Sequence, residues 1–158
     1  MKSIITLIAA ALLVAGCSSS RDYAGLNNDR GTVEKTNDAI QAAFAHGDVA
    51  TIMTYLHPDV VIKAFTSDSY ISGTDEVQAY LTRSFKIFNL EIVDNHVEST
   101  TIENGTAVEK TLFTIKGTPK NGGDPFMFKV QSMNVYVKYK NSPTGWASVR
   151  QVVLPADK

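Results

Sequence analysis

The chain has 158 residues, 15 basic and 16 acidic side chains, and a net charge of −1. Without a basic surplus it lacks the electrostatic footprint of nucleic-acid binding, and its single cysteine excludes an internal disulfide. At 44% hydrophobic residues the composition fits one ordinary domain held together by core packing.

The first segment is an export signal. Lys2 supplies a charge, Ile4 to Val14 is apolar apart from Thr6, and small residues follow. This core of about 11 residues is well short of the ~20 that span a bilayer, so residues 1–16 read as a cleaved signal peptide. Val14-Ala15-Gly16-Cys17 resembles the bacterial lipoprotein cleavage box. The resemblance implies cleavage before Cys17, palmitate-type acyl chains on that cysteine and a membrane anchor; several acyl chains hold stably where one would not. Ser18 stands where an aspartate would resemble the inner-membrane retention signal, which implies the outer membrane, facing the periplasm. Residues 17–31, rich in Ser, Asn and Gly, read as the lipidated cysteine and a flexible tether, and residues 32–158 as the domain.

In chain order, Thr32 caps a first helix whose apolar positions include Val33, Ile40 and Phe44, and Gly47 ends it. Asp48 caps a short second helix, which stops before Pro58. Val60–Phe65 and Tyr70-Ile71 read as short strands around a Ser67-Asp68-Ser69 turn. A third helix spans about Asp75 to Phe88, with Val77, Tyr80, Leu81, Ser84, Phe85 and Phe88 at the spacing of a buried stripe. Four antiparallel strands follow at about 90–102, 106–116, 125–139 and 146–153, joined by Asn104-Gly105, the Gly117–Gly123 loop and Asn141–Gly145. In the third of these, Phe126, Phe128 and Val130 share one phase, while Met133, Val135, Val137 and Tyr139 share the other. A period of two cannot bury both sets, which predicts a bulge near Gln131–Ser132 and a curved sheet.

The expected fold is therefore α+β, in the order ααββαββββ, with three helices over the concave side of a mostly antiparallel sheet: a cone. Ala42–Asp48 leading to Leu56-His57-Pro58-Asp59-Val60, the Ser72–Val77 entry to the third helix, and Gly145-Trp146 with Val149 and Arg150 resemble the nuclear transport factor 2-like superfamily. That superfamily includes ketosteroid isomerases, scytalone dehydratase and SnoaL-like polyketide cyclases. The resemblance covers about residues 32–154 and is carried by caps and core positions, which say little about chemistry.

The resemblance to ketosteroid isomerase places Ile40 where that enzyme has its oxyanion-donating tyrosine, and Ala64 where it has its proton-moving aspartate. Neither side chain moves a proton. The dehydratase branch needs paired histidines with an aspartate, whereas His46, His57 and His96 are scattered. They and Cys17 show no metal-ligand spacing. No glycine-rich phosphate loop or nucleophile elbow occurs either, so no cofactor or metal is expected. Tyr55, Tyr80, Phe85, Phe113, Phe128, Gln131 and Arg150 are the candidate pocket lining.

Three functions are compatible with this reading. The first is a lipid-anchored, non-catalytic domain binding a small apolar or amphipathic ligand in the cone. The second is a homodimerisation or protein-interaction module acting through the outer sheet face, which would carry Lys129, Gln131, Lys138 and Lys140. The third is a polyketide-cyclase-like enzyme using Asp59 or Glu109 as base.

Overall fold

A computed structural model describes residues 20–156; the signal peptide and Cys17 lie outside the described residues. The elements are α1 (Ser20–Ala45), α2 (Val49–Thr54), β1 (Leu56–Lys63), β2 (Ile71–Ser72), α3 (Thr74–Ile87), β3 (Phe88–Glu103), β4 (Thr106–Pro119), β5 (Phe126–Lys138) and β6 (Trp146–Pro155). The order is the expected one. The strands form one sheet, β2-β1-β6-β5-β4-β3, in which only β1 and β6 run parallel.

Local chemistry fixes the helix boundaries. Gly47 adopts φ +65, and the N–H groups of Gly47 and Asp48 close the end of α1 onto Phe44 O and Ala43 O, a left-handed helix stop. Asp48 then caps α2: its Oδ1 accepts from Thr51 N at 3.0 Å and its Oδ2 from Thr51 Oγ1 at 2.6 Å. These two bonds hold its carboxyl below the ordinary carboxylate range. The stripe on α3 buries Val77, Leu81 and Phe85 against Ala43, Ile52 and Val60.

Two expectations are corrected. Residues 20–31 are helical and extend α1, so the tether reading fails there. Thr32 is not a cap but a mid-helix residue, its hydroxyl donating to Asn28 O at 2.7 Å. Helix propensity alone would not support a segment with two glycines. Tertiary contacts do: Arg30 Nη2 donates to Thr100 O at 2.9 Å, and Asp29 pairs with Lys138. The second correction concerns the bulge. β4 and β5 pair without interruption from Thr106↔Val137 to Gly117↔Phe126, so β5 carries no bulge at Gln131–Ser132. The irregularities lie in its neighbours. Two interrupt β3, one between Val93 and His96, where Asp94 has φ +53. In β6 Val149 is the extra residue, since Tyr136 pairs with Ser148 but Val135 with Arg150. These bulges supply the curvature that the phase argument had placed in β5.

Strict alternation in β5 buries Val130, Ser132, Asn134 and Tyr136 on the concave side. Met133, Val135 and Val137 face outward. The inner surface of this strand is therefore partly polar, and its outer surface partly apolar.

Candidate functional site

The concave side of the sheet and helices α1 and α3 enclose a cavity of about 510 Å³, within the range of small-molecule sites. Its mouth is aromatic. Phe128 is 42% exposed and its ring centre lies 5.1 Å from Phe65 and 5.2 Å from Phe126, which in turn meets Phe88 edge-on at 5.3 Å. Gly117 makes this arrangement possible. It pairs with Phe126 across the strands, and a Cβ on it would fall 2.0 Å from the Phe126 ring, so the ring lies flat over bare backbone.

Deeper in, Phe113 and Ile115 give way to polar side chains: Asn37 and Gln41 from α1, Thr111, Asn134, Tyr136 and Ser148 from the sheet. Among the described residues no charged side chain lines the cavity. The Thr111 hydroxyl is buried in this wall without a hydrogen-bond partner, and such a group costs about 1–3 kcal/mol unless something satisfies it.

Behind the polar end lies Glu109. It is fully buried, two residues from Thr111 on the same face, with Thr100 and Asn134 as its cross-strand neighbours. Neither carboxylate oxygen has a partner. Burial, with the charges of Glu34 and Asp38 on α1, pushes its pKa up from 4.5 to about 7, and the adjacent Thr100 hydroxyl opposes this only weakly. Burial, then Glu109 and Asp38, also raise the Tyr136 phenol above its ordinary value, so Tyr136 stays a neutral hydrogen-bond donor at any physiological pH.

Of the lining predicted from sequence, Tyr80, Phe113 and Phe128 face the cavity; the other four do not. Tyr55 is the C-cap of α2. Phe85 packs between helices, 5.0 Å from the Phe44 ring and against Gly47. Gln131 points outward because β5 alternates without a break. Arg150 is exposed, its Nη1 donating to Asp59 O at 2.7 Å; the bulge at Val149 turns Ser148 and Gln151 inward and Arg150 out. Lys138 likewise leaves the outer face, lying 4.4 Å from the Trp146 ring centre. Sequence reasoning missed Asn134 and Tyr136, although continuing the Phe126–Phe128–Val130 phase would have found them.

The two positions carried over from the isomerase resemblance, Ile40 and Ala64, both line the cavity, so the apolar residues there bear on any ligand. Of the two proposed bases, Asp59 is 83% exposed, and Glu109 is fully buried behind the cavity wall without lining it. His46 and His96 are on the surface; His57 packs edge-on against Tyr139 at 4.8 Å. No group of metal-ligating side chains occurs among the described residues.

Comparisons with known proteins agree with this geometry. No curated protein matches the sequence. The chain is similar in structure to a ketosteroid isomerase-like protein from Erwinia carotovora atroseptica SCRI1043, with TM-score 0.71 and 15% identity over 81% of this chain and 96% of that one. It is similar to a nuclear transport factor 2-like superfamily protein from Salmonella enterica serovar Typhimurium LT2, with TM-score 0.71 and 13% identity over 85% and 94%. It is also similar to the S. rosetta CaMKII hub, with TM-score 0.61 and 19% identity over 80% and 95%. At these identities the likenesses show the fold alone. The family model for the SnoaL-like domain matches residues 38–138, the end of α1 through β5 with most of the cavity lining, and the chain belongs to that family.

Proposed function

We propose that this protein is a lipid-anchored domain of the bacterial cell envelope that binds a small apolar or amphipathic molecule in its cone without transforming it. The observation that carries the reading is the open, aromatic-mouthed cavity of about 510 Å³: a core built only for stability would fill that volume with side chains. The non-catalytic part rests on Ile40 and Ala64 in the cavity wall, where the resemblance to ketosteroid isomerase would need proton-handling groups. The anchor rests on the Val14–Cys17 box.

The test is native mass spectrometry of the protein purified from its own envelope. A retained non-covalent mass is the expected result and gives the ligand's size. Bare protein, with ordered side chains filling the cone in an experimental structure, would overturn the reading. For the anchor, Cys17→Ser should move the protein from the membrane to the soluble fraction; unchanged partition would remove Cys17 as the attachment point.

A second reading is favoured by the convex face of the sheet, where Met133 and Leu154 are each 51% exposed and Val108 38%. Val108 adjoins Val135, and Met133 adjoins Val152. An apolar strip of this kind suits self-association. The same spectra separate the two readings, since a dimer mass with an empty cone supports the interface alone.

A further inference from the structure

The polar end of the cavity raises a question that cavity size does not answer: which head group it accepts. Its neutral polar lining is the Asn134 and Asn37 amides and the Tyr136 phenol, with Thr111 beside them, its hydroxyl closed off and without a partner in the protein. It offers no cation. The charge behind it is acidic: Glu109 pairs across the strands with Asn134, and the exposed Glu34 and Asp38 act on Glu109 from α1.

We infer that Glu109, with Glu34 and Asp38, makes the closed end of the cone selective for an uncharged oxygen head, an alcohol or carbonyl, against a carboxylate on the same apolar chain. The inference rests on the ligand-binding reading and deepens it.

The physical argument compares the two heads. An alcohol or carbonyl exchanges water for the Asn134 amide or the Tyr136 phenol. A carboxylate loses the same water, finds no cation, and sits in a negative field inside a low-dielectric wall. Burying an unpaired ionised group costs several kcal/mol unless it neutralises, and neighbouring negative charge adds to that cost at short range.

The charged groups around Glu109 are of both signs. From α1 come the exposed Glu34, Lys35 and Asp38, of which Glu34 and Asp38 act on Glu109, and Arg30, whose guanidinium is bound to Thr100 O; from the end of β5 comes Lys138, paired with Asp29. From β5 comes the neutral Tyr136. The β3 and β4 neighbours on this face, Thr100, Ala107 and Thr111, are uncharged. Glu109 is therefore the group whose ionisation changes the field at the cavity end, and the discrimination should widen as it ionises near neutral pH.

The test compares 1-decanol with sodium decanoate on the full protein by calorimetric titration at pH 6.0 and 8.5, below the critical micelle concentration of decanoate. Decanoate is mainly ionised in free solution at both pH values, but it can take up a proton on burial, so only the part of the pH dependence that Glu109→Gln removes belongs to the protein. The alcohol should bind about tenfold or more tightly than the acid at pH 8.5, with a smaller ratio at pH 6.0. In Glu109→Gln the ratio at pH 8.5 should shrink and its pH dependence should be clearly smaller. Should Glu109→Gln not fold, Asp38→Asn on the solvent side of α1 narrows the ratio in the same direction. Decanoate binding as tightly as decanol, or a ratio indifferent to pH and to both variants, overturns the inference while leaving the cone a binding site. Binding of neither probe overturns the ligand-binding reading and the inference with it.

Discussion

Between about pH 5 and pH 9 the folded protein should lose about 3 kcal/mol of stability, and Glu109→Gln should abolish most of that loss. In the unfolded chain Glu109 titrates near 4.5; in the fold it titrates at about 7. Each unit of difference is worth 1.36 kcal/mol, which gives about 3 kcal/mol for the pair of states. The sign follows from proton occupancy. Between the two pKa values the folded protein holds the proton and the unfolded chain has released it, so stability falls as pH rises. Glu109's contribution is fully present below about pH 4.5, is lost as pH rises through 7, and is flat above about 8. Asp48 works in the opposite direction, its depressed pKa favouring the fold only above the acid range, and so stays outside this window. Glutamine keeps the shape of the side chain and removes the charge. At pH 8.5 Glu109→Gln should therefore be more stable than the parent, and at pH 5 close to it. Urea denaturation at both pH values decides: a parent protein whose stability does not fall between them would mean that Glu109 ionises freely, through water or a cation reaching its carboxyl.

The same carboxylate shows what was legible from the sequence. Caps and helix stops were: Gly47 and Asp48 act locally, and local chemistry is written in neighbouring residues. The order of elements was also legible, because the change from a 3.6-residue to a two-residue period survives any error of phase. Strand phase was not. The sequence of β5 reads as two apolar sets in opposite phases, and a bulge is the ordinary explanation. The strand instead keeps one phase and accepts Ser132 and Asn134 inside, because a polar inner face is tolerable where it borders a cavity rather than a packed core. The bulge sits at Val149 on the neighbouring strand, where no glycine or phase break marks it. That one residue moved Arg150 out of the candidate site and Gln151 into the cavity wall. Residues 20–31 were misread for a related reason. Their composition suits a tether, and the partners that hold the end of the segment, Thr100 for Arg30 and Lys138 for Asp29, are distant residues that no local window contains. Glu109 lies in a strand of alternating character, and only the register against Thr100 and Asn134 shows that its face is the buried one.

Replacing Trp146 by alanine should cost about 3–5 kcal/mol, the range for truncating a large buried aromatic side chain, and should loosen α1 more than the sheet. Trp146 is 1% exposed and packs with Val33, Ala107 and Tyr136, so one indole joins the start of β6 to the middle of α1. The ammonium of Lys138 lies 4.4 Å from its ring centre and pairs with Asp29. Removing the ring thus takes away the surface that holds Lys138 in place for α1, as well as the apolar contact with Val33. Hydrogen exchange should show the largest loss of protection in residues 26–37, with β4 and β5 less affected, because the sheet keeps its own ladder of hydrogen bonds. Trp146→Phe separates ring from volume. The indole Nε1 has no hydrogen-bond partner, so phenylalanine removes an unsatisfied donor while keeping an aromatic face for Lys138, and its cost should be clearly smaller than that of alanine. A uniform loss of protection across the whole chain would mean that the ring supports the fold only by its bulk; a Trp146→Phe variant as weak as Trp146→Ala would mean that the indole itself, and not an aromatic face in that space, is required. If α1 alone loosens, the helix that supplies Asn37, Ile40 and Gln41 to the cavity is held in place from outside the cavity, and ligand affinity will fall with it although no residue touching the ligand has changed.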